Sequence, residues 1–179
     1  RANGLVLSVD NYVPVGNTNH YGRAEQGRVA DYVIIMGYDE HWSGSQEAGS
    51  VASIGFVETG IQKTLGEVPA EKIINAIPFY TRVWKTGGGT VTSDAVGMDS
   101  ADQFLADHNA SSMWDESTGQ NYAEFEEDGS FYQVWLEDEQ SVEVKLNVMA
   151  SYNIAGVGAW KLGLERPSVW NVIDLYLHG

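Results

Sequence analysis

The chain has 179 residues, with 25 Asp and Glu against 10 Lys and Arg, and therefore a formal net charge of −15 at pH 7. This charge argues against nucleic acid as a partner, because nucleic-acid binding draws most of its affinity from Lys and Arg. A hydrophobic share of 43% is too high for a disordered segment. Apolar runs such as 32–36 are far shorter than the roughly 18 residues that span a bilayer. The absence of cysteine excludes disulfides and thiolate chemistry.

Four short apolar runs predict buried strands, at 5–9, 32–36, 72–78 and 154–160. The run at 32–36 is apolar on both faces, which is typical of a parallel sheet covered by helices. Segments with helical character surround these runs, and they lie at 20–30, 51–65, 141–152 and 167–177. Repeated strand-helix units predict a parallel sheet, because parallel neighbours need a crossover connection that is usually a helix.

The sequence between the third and fourth strands has a different character and predicts a small α+β insertion. It contains a short helix at 101–108 and an Asp128-Gly129 dipeptide between two aromatic-rich runs, which indicates a hairpin. The run of glycines at 87–89 is interpreted as flexible. The chain is accordingly divided into residues 1–84 with three strands, the insertion at 85–136, and residues 137–179 with the last crossover helix, the fourth strand and a closing helix.

Two α/β architectures fit this order of elements. A doubly wound sheet favours a glycine-rich phosphate loop after its first strand, and neither GxGxxG nor GxxxxGK[ST] follows Val9. A (β/α)8 barrel needs no such loop and carries its chemistry at the carboxyl ends of its strands, where the polar and aromatic residues of this sequence lie. The barrel is favoured, but only four of its eight strands are visible. The predicted fold class is therefore α/β, a partial (β/α)8 TIM barrel with an α+β insertion.

Four motifs occur in an order that resembles glycoside hydrolase family 18, the chitinase-like barrels. They read MGYD at 36–39, IPFYTRVW at 77–84, YQVWLEDE at 132–139 and GVGAW at 156–160. The third motif, followed by a helix and Trp160, is most similar to the bacterial branch of spore cortex and cell-wall lytic members. The resemblance implies that the chain is the carboxyl-terminal half of the barrel, strands five to eight, with the family's small domain between the last two strands.

The end of the second strand supplies the first candidate site residues. Side chains alternate along a strand, so Met36 and Tyr38 are expected to point into the barrel, with Asp39 at its rim. The resemblance implies that Tyr38 and Asp39 support catalysis by contacting the 2-acetamido group of a sugar, and that Met36 lies in the substrate cleft. The alternative is structural: Tyr38 fills the end of the barrel and Asp39 caps the next segment.

Three further residues are candidates for substrate binding. Tyr80 and Arg82 have the same parity in the run that continues the third strand, so both are expected to face one cleft. The resemblance implies that Trp160 forms the floor under the sugar that is cleaved. Arg82 could equally pair with a structural carboxylate. The remaining tryptophans considered, Trp42, Trp84, Trp114 and Trp170, are assigned to the core or the rim.

The catalytic acid of the family has no counterpart in this sequence. Family 18 uses a DxxDxDxE motif, in which a Glu protonates the leaving oxygen while the substrate's own acetamido oxygen attacks the anomeric carbon. No D-x-D-x-E occurs in the 179 residues, and Asp99 and Asp102 lie in the predicted insertion. The chain alone is therefore predicted to be inactive. No metal or cofactor is predicted, since the four histidines lack ligand spacing such as HExxH.

These features leave alternative functions and partners open. The resemblance implies hydrolysis of N-acetyl sugar polymers in a complete protein, but a lectin-like binding barrel and a structural scaffold are alternatives. The glycan could be chitin, peptidoglycan or a host glycan, and cleavage could be internal or terminal. Four strands leave two open edges, which predicts pairing with the missing half of the barrel or with a second copy. The acidic composition favours an extracellular or envelope location.

Overall fold

The computed structural model describes residues 3–178, which form two β-sheets and five α-helices. The strands are β1 (Ser8–Tyr12), β2 (Tyr32–Met36), β3 (Ile73–Pro78), β4 (Tyr80–Gly87), β5 (Thr90–Gly97), β6 (Met113–Asp115), β7 (Gln120–Glu127), β8 (Ser130–Leu136) and β9 (Gly156–Trp160). The helices are α1 (Arg23–Val29), α2 (Ile54–Leu65), α3 (Met98–Asp107), α4 (Glu139–Ser151) and α5 (Val169–His178). None of these helices is long and apolar enough to cross a bilayer.

The first sheet is parallel and has the strand order β1-β2-β3-β9. Its register aligns Tyr12, Met36, Ala76 and Gly158 in one row across all four strands. Val33 and Ile35 of β2 are fully buried in a hydrophobic core that also contains residues of α2, α4 and α5. Ile34 and Met36 alternate with them on the opposite face and are only half-buried. One face of the sheet therefore forms the core, and the other is partly open.

This parallel sheet confirms the predicted α/β class, but it is not closed into a barrel. Within residues 3–178, β1 and β9 each pair with one neighbouring strand, so the sheet has two open edges. An open parallel sheet with one partly uncovered face is unusual, because helices normally cover both faces of such sheets. The partial barrel remains a prediction.

The second sheet is antiparallel, with the order β5-β4-β8-β7-β6. Helix α3 packs on one of its faces, where Val83, Ala123 and Val134 contact Ala101 and Leu105. The predicted hairpin around Asp128-Gly129 is the turn between β7 and β8, and both residues have positive φ angles of 49° and 72°. This sheet and α3 correspond to the predicted insertion.

The insertion begins earlier than the sequence indicated. β3 ends at Pro78, and Tyr80 starts a new strand in the second sheet, so the predicted boundary at residue 85 falls inside β4. Tyr80 and Arg82 therefore lie on β4 and not on the third strand. The physical reason is a hairpin: Gly88 and Gly89 adopt φ angles of 57° and 77° and reverse the chain so that β4 pairs with β5.

Smaller differences concern the ends of other elements. The first strand is displaced by three residues, to Ser8–Tyr12 in place of 5–9, and the helix predicted at 20–30 is the shorter α1. Just before β1, the Leu7 N–H donates to the Asp31 carboxylate at 2.9 Å, and the Leu7 carbonyl accepts from Tyr32 N at 3.2 Å. The shift places Tyr12 at the carboxyl end of β1.

A buried polar network joins the insertion to the rest of the chain. Lys145 of α4 donates to both carboxylate oxygens of Glu137 at 3.0 Å, and Gln120 of β7 donates to the same carboxylate at 2.9 Å. Ser141 also donates to Glu137, at 2.8 Å, and Ser50 donates to the side-chain oxygen of Gln120. The network fixes β7, α4 and the segment after β2 relative to one another.

Candidate functional site

The candidate site lies at the carboxyl edge of the parallel sheet, where β2 ends and β4 begins. The Tyr80 hydroxyl donates a hydrogen bond to Oδ1 of Asp39 at 2.5 Å. The Tyr38 ring meets the Tyr80 ring edge-on, with centroids 6.2 Å apart and an interplanar angle of 71°. Three of the sequence-predicted residues are therefore in contact, although two lie in the loop after β2 and Tyr80 lies at the start of β4.

The environment keeps both phenols protonated. Burial and the neighbouring Asp39 carboxylate raise the pKa of Tyr38 to about 12. Burial and the hydrogen bond to Asp39 raise the pKa of Tyr80 further above its ordinary value. Each hydroxyl is therefore a neutral hydrogen-bond donor at physiological pH, and the negative charge of the group resides on Asp39.

The backbone around Asp39 is fixed by its neighbours. Asp39 has a φ of 61°, a left-handed conformation that is uncommon for a non-glycine residue and often marks functional sites. The loop that follows is held by Glu40, whose N–H donates to Val51 O at 2.9 Å and whose carboxylate accepts from Ser53 N at 2.8 Å. The sheet and the loop together determine where the Asp39 carboxylate points.

Two pockets flank the Tyr80–Asp39 hydrogen bond. The first, of about 300 Å³, is lined by Tyr80, Ala95, Val96, Trp160, Lys161 and Leu164. The second, of about 350 Å³, is lined by Tyr12, Thr18, Asp39 and Trp42. Trp160 and Trp42 are 54% and 55% exposed, so each pocket has an accessible indole surface. Such apolar planes are suited to stacking against a sugar ring.

Met36 and Arg82, the other two predicted substrate-binding residues, lie in different parts of the fold. Met36 is half-buried in the row that contains Tyr12, on the open face of the parallel sheet. Arg82 is only 9% exposed, and its guanidinium donates to the side chain and carbonyl of Ser93 at 2.7 and 3.2 Å. It also lies over the Trp84 ring, 5.9 Å from its centroid. Within residues 3–178, the hydrogen-bond partner of the Arg82 guanidinium is Ser93, and no ion pair joins Arg82 to a carboxylate.

The sequence interpretation missed Tyr12, Trp42 and Lys161 as pocket residues. Tyr12 was missed because β1 was placed three residues too early, and Trp42 was grouped with core or rim tryptophans. Lys161 follows Trp160 directly and could have been noted from that position alone. For metal binding, the described part of the chain contains no group of three or more His, Asp or Glu side chains arranged as ligands.

Comparison with known proteins supports the resemblance. The sequence profile described as "Glycosyl hydrolases family 18" matches residues 8–165. The chain belongs to this family. It is 29% identical over 180 aligned residues to the "Cortical fragment-lytic enzyme" of Bacillus anthracis, and the alignment covers 95% of this chain and 41% of that protein. The protein of the same description from Bacillus subtilis is 32% identical over 152 residues, covering 83% and 35%.

Solved structures agree with the family assignment. A chitinase from Chromobacterium violaceum superposes with a TM-score of 0.88 at 28% identity, covering 99% of this chain and 57% of that one. The spore cortex-lytic enzyme SleL of Bacillus cereus gives a TM-score of 0.85 at 28% identity, covering 95% and 41%. The family 18 chain described here therefore spans less than half the length of the curated relatives it matches.

Proposed function

We propose that this chain supplies the acetamido-orienting part of a glycosidase active site that cleaves polymers containing N-acetylglucosamine. The observation that carries the proposal is the Tyr80–Asp39 hydrogen bond, with Tyr38 beside it and an accessible indole on each side. Membership of family 18 and the cortex-lytic and chitinase relatives support a glycosidase role for the complete protein. That the substrate is a polymer containing N-acetylglucosamine is itself part of this proposal.

Each residue has a distinct part in the proposed reaction. Asp39 accepts the N–H of the substrate's 2-acetamido group and stabilises the positive charge that develops there as the acetamido oxygen attacks the anomeric carbon. Tyr80 holds the Asp39 carboxylate in place, and Tyr38, a neutral donor, orients the acetamido group. Trp160 supports the apolar face of the sugar ring. Retention of configuration follows, because two successive displacements occur at the same carbon.

The chain alone is expected to be inactive. Cleavage of an unactivated glycoside needs a proton on the leaving oxygen, and general acid catalysis contributes about 10²–10⁴ in rate. No D-x-D-x-E motif is present in the sequence to provide that acid. We propose that the acid belongs to polypeptide that pairs with the open edges at β1 and β9. The cortex-lytic relatives favour action in the cell envelope or outside the cell.

The experiment compares the 179-residue chain, alone and joined to the polypeptide encoded upstream of it, on chito-oligosaccharides and peptidoglycan fragments. We expect hydrolysis only with the joined protein, and a loss of about 10²–10³ in kcat when Asp39→Asn removes the charge. Glu116→Gln, an exposed residue of the β6–β7 turn, is the matched control and should retain activity. Hydrolysis by the chain alone, or an unaffected Asp39→Asn variant, would contradict the proposal.

A lectin-like function is the second candidate, and the two indole-bearing pockets favour it because they can bind sugar without an acid. The upstream sequence distinguishes the two candidates. A strand ending in Asp-x-Glu supports hydrolysis, whereas Leu or Gln in place of that Glu supports binding alone. Binding of N-acetylglucosamine oligomers without any turnover by the joined protein would favour the lectin-like function.

A further inference from the structure

The exposed indole of Trp42 is carried by the loop of residues 40–51, which we call the Trp42 loop. The two ends of this loop are joined by backbone hydrogen bonds, among them His41 N to Ser50 O at 3.2 Å. Between these ends, the hydrogen bonds that residues 42–48 make within the described part of the chain stay inside the loop. The position of the indole therefore depends on what holds the ends of the loop.

The insertion holds the returning end of the Trp42 loop at two points. Trp84 of β4 donates from its indole N–H to Gly49 O at 2.8 Å. The Ser50 hydroxyl donates to the side-chain oxygen of Gln120 on β7, and it accepts the N–H of Ala52 at 3.0 Å. Trp84, Ser50 and Gln120 are each at most 3% exposed. Water cannot readily replace hydrogen bonds at such a site, so these bonds determine where the loop lies.

The direction of the hydrogen bonds at Gln120 is set by the groups on its other side. The amide nitrogen of Gln120 donates to a carboxylate oxygen of Glu137 at 2.9 Å and to Leu136 O at 3.2 Å. Lys145 holds that carboxylate as an acceptor by donating to both of its oxygens at 3.0 Å. The side-chain oxygen of Gln120 must then face Ser50, whose hydroxyl has to be the donor. Each bond thus fixes the next one, from α4 to the loop.

The close packing of the Trp42 loop transmits this anchoring to the indole. A Cβ at Gly49 would overlap the His41 ring, and a Cβ at Gly44 would overlap the Trp42 indole. The Nδ1 atom of His41 also lies 2.9 Å from Ser50 O. Because His41 directly precedes Trp42, a displacement of Ser50 moves the backbone that carries the indole.

We propose that Gln120 is a positioning residue for sugar binding, which through Ser50 holds the Trp42 indole in the pocket that it shares with Asp39. The inference rests on the proposed function and assigns a part in it to the insertion. The insertion itself does not line this pocket, whose lining residues are Tyr12, Thr18, Asp39 and Trp42. Stacking of the indole on a sugar ring stabilises the bound substrate and the transition state alike, so its loss affects KM more than kcat.

The test measures kcat and KM for the hydrolysis of chitotetraose by the 179-residue chain joined to its upstream polypeptide. Gln120→Met keeps the length of the side chain but removes its hydrogen bonds. It should raise KM about two- to tenfold, as for the loss of one aromatic contact, with kcat nearly unchanged. In a Trp42→Ala background the same substitution should raise KM no further, because Gln120 acts through the indole. If the joined protein binds without turnover, the dissociation constant takes the place of KM.

Fluorine NMR follows the indole without any substrate. In the joined protein labelled with fluorotryptophan, the Trp42 resonance is assigned by its loss in Trp42→Phe. This resonance should shift or broaden in Gln120→Met, because the indole is no longer held in one position. The resonance of Trp170, an exposed residue of α5, should stay unchanged.

Two further variants separate positioning from a general loss of stability. Ser141→Ala removes another buried hydrogen bond to Glu137, of 2.8 Å, on the side of the network away from the Trp42 loop. It should lower the free energy of unfolding but leave KM and the Trp42 resonance unchanged. Ser50→Ala removes only the hydroxyl between Gln120 and the loop, and it tests the same link if Gln120→Met does not fold. It should reproduce the rise in KM.

The outcomes separate this inference from the proposed function. An unchanged KM or an unchanged Trp42 resonance in both Gln120→Met and Ser50→Ala would overturn the inference alone. A rise in KM that is equally large in the Trp42→Ala background would also overturn it, because Gln120 would then act on another part of the protein. If the unmodified joined protein neither cleaves nor binds chitotetraose, the proposed function is wrong and the inference with it.

Discussion

At the scale of single residues, the pKa of Tyr38 reports how this side chain is buried in the candidate site. Its pKa is raised to about 12 in the folded chain, mainly by burial, against about 10 in an unfolded chain. Between pH 10 and 12 the folded state therefore binds more protons than the unfolded state, and the free energy of unfolding falls as the pH rises through this interval. Tyrosinate absorbance should show a late phase near pH 12 that decreases in Tyr38→Phe. An unchanged late phase in this variant would contradict the site geometry.

Gly37 provides a second test at the residue scale, because it precedes the site and has no room for a side chain. A Cβ at this position would lie 2.7 Å from Asn75 Oδ1 and 2.8 Å from the carbonyl oxygen of Ala76. Gly37→Ala should therefore lower the free energy of unfolding by about 1–3 kcal/mol in urea titrations. Gly55→Ala is the control: nothing lies within 4 Å in α2, so this variant should be roughly 0.5–1 kcal/mol more stable. Equal stability of the two variants would argue against the packing at Gly37.

At the scale of strands and helices, substitutions in the Glu137–Lys145 pair test how the insertion is attached to the rest of the chain. Both side chains are essentially inaccessible, and burial raises the pKa of Glu137. Lys145→Met leaves a buried carboxylate without its counter-charge and should destabilise the fold by about 3–5 kcal/mol in urea unfolding. Adding Glu137→Gln removes the charge, keeps an acceptor for Gln120, and should restore much of the loss. A double variant no more stable than the single one would contradict this explanation.

The observed ends of the strands and helices also show which features of the fold the sequence predicts. β2 was predicted with its observed ends because an uninterrupted apolar run of five residues followed by MGYD marks a covered parallel strand. The third strand was predicted to end at Pro78, as observed, but the new strand that starts at Tyr80 was not predicted, because only its pairing with β5 and β8 assigns it to the second sheet. Asp138 caps α4, since its side chain accepts the N–H of Ser141.

The candidate site shows the same limit of prediction from the sequence. Strand parity correctly indicated that Met36 lies on the face opposite the buried Val33 and Ile35. The contact between Tyr80 and Asp39 joins β4 to the loop after β2, across 41 positions of the chain, and no local sequence pattern specifies it. Ion pairs between distant residues are also not visible in a sequence, as Arg166 shows by binding Asp99 and Asp102 of α3.

At the scale of the whole molecule, the open parallel sheet should govern association. β1 and β9 present unpaired edges in residues 3–178, and Ile34 lies on the partly open face. Light scattering of the 179-residue chain should therefore report association at micromolar concentration. Association should strengthen with salt, because a net charge of −15 opposes contact between copies and is screened over about 10 Å at 0.1 M. Joining the upstream polypeptide to the chain should abolish this self-association.

Two charge variants locate the associating surface. Ile34→Glu places a carboxylate on the open face of the sheet and should weaken self-association, because burying an unpaired charge between copies is costly. Leu175→Glu adds the same charge on α5, where the side chain is 72% exposed, and should leave association unchanged. A concentration-independent monomer, or equal effects of the two variants, would mean that the open face does not drive association. In that case the parallel sheet would be stable without a covering partner. The proposal that the catalytic acid belongs to polypeptide paired with β1 and β9 would then lose its structural basis.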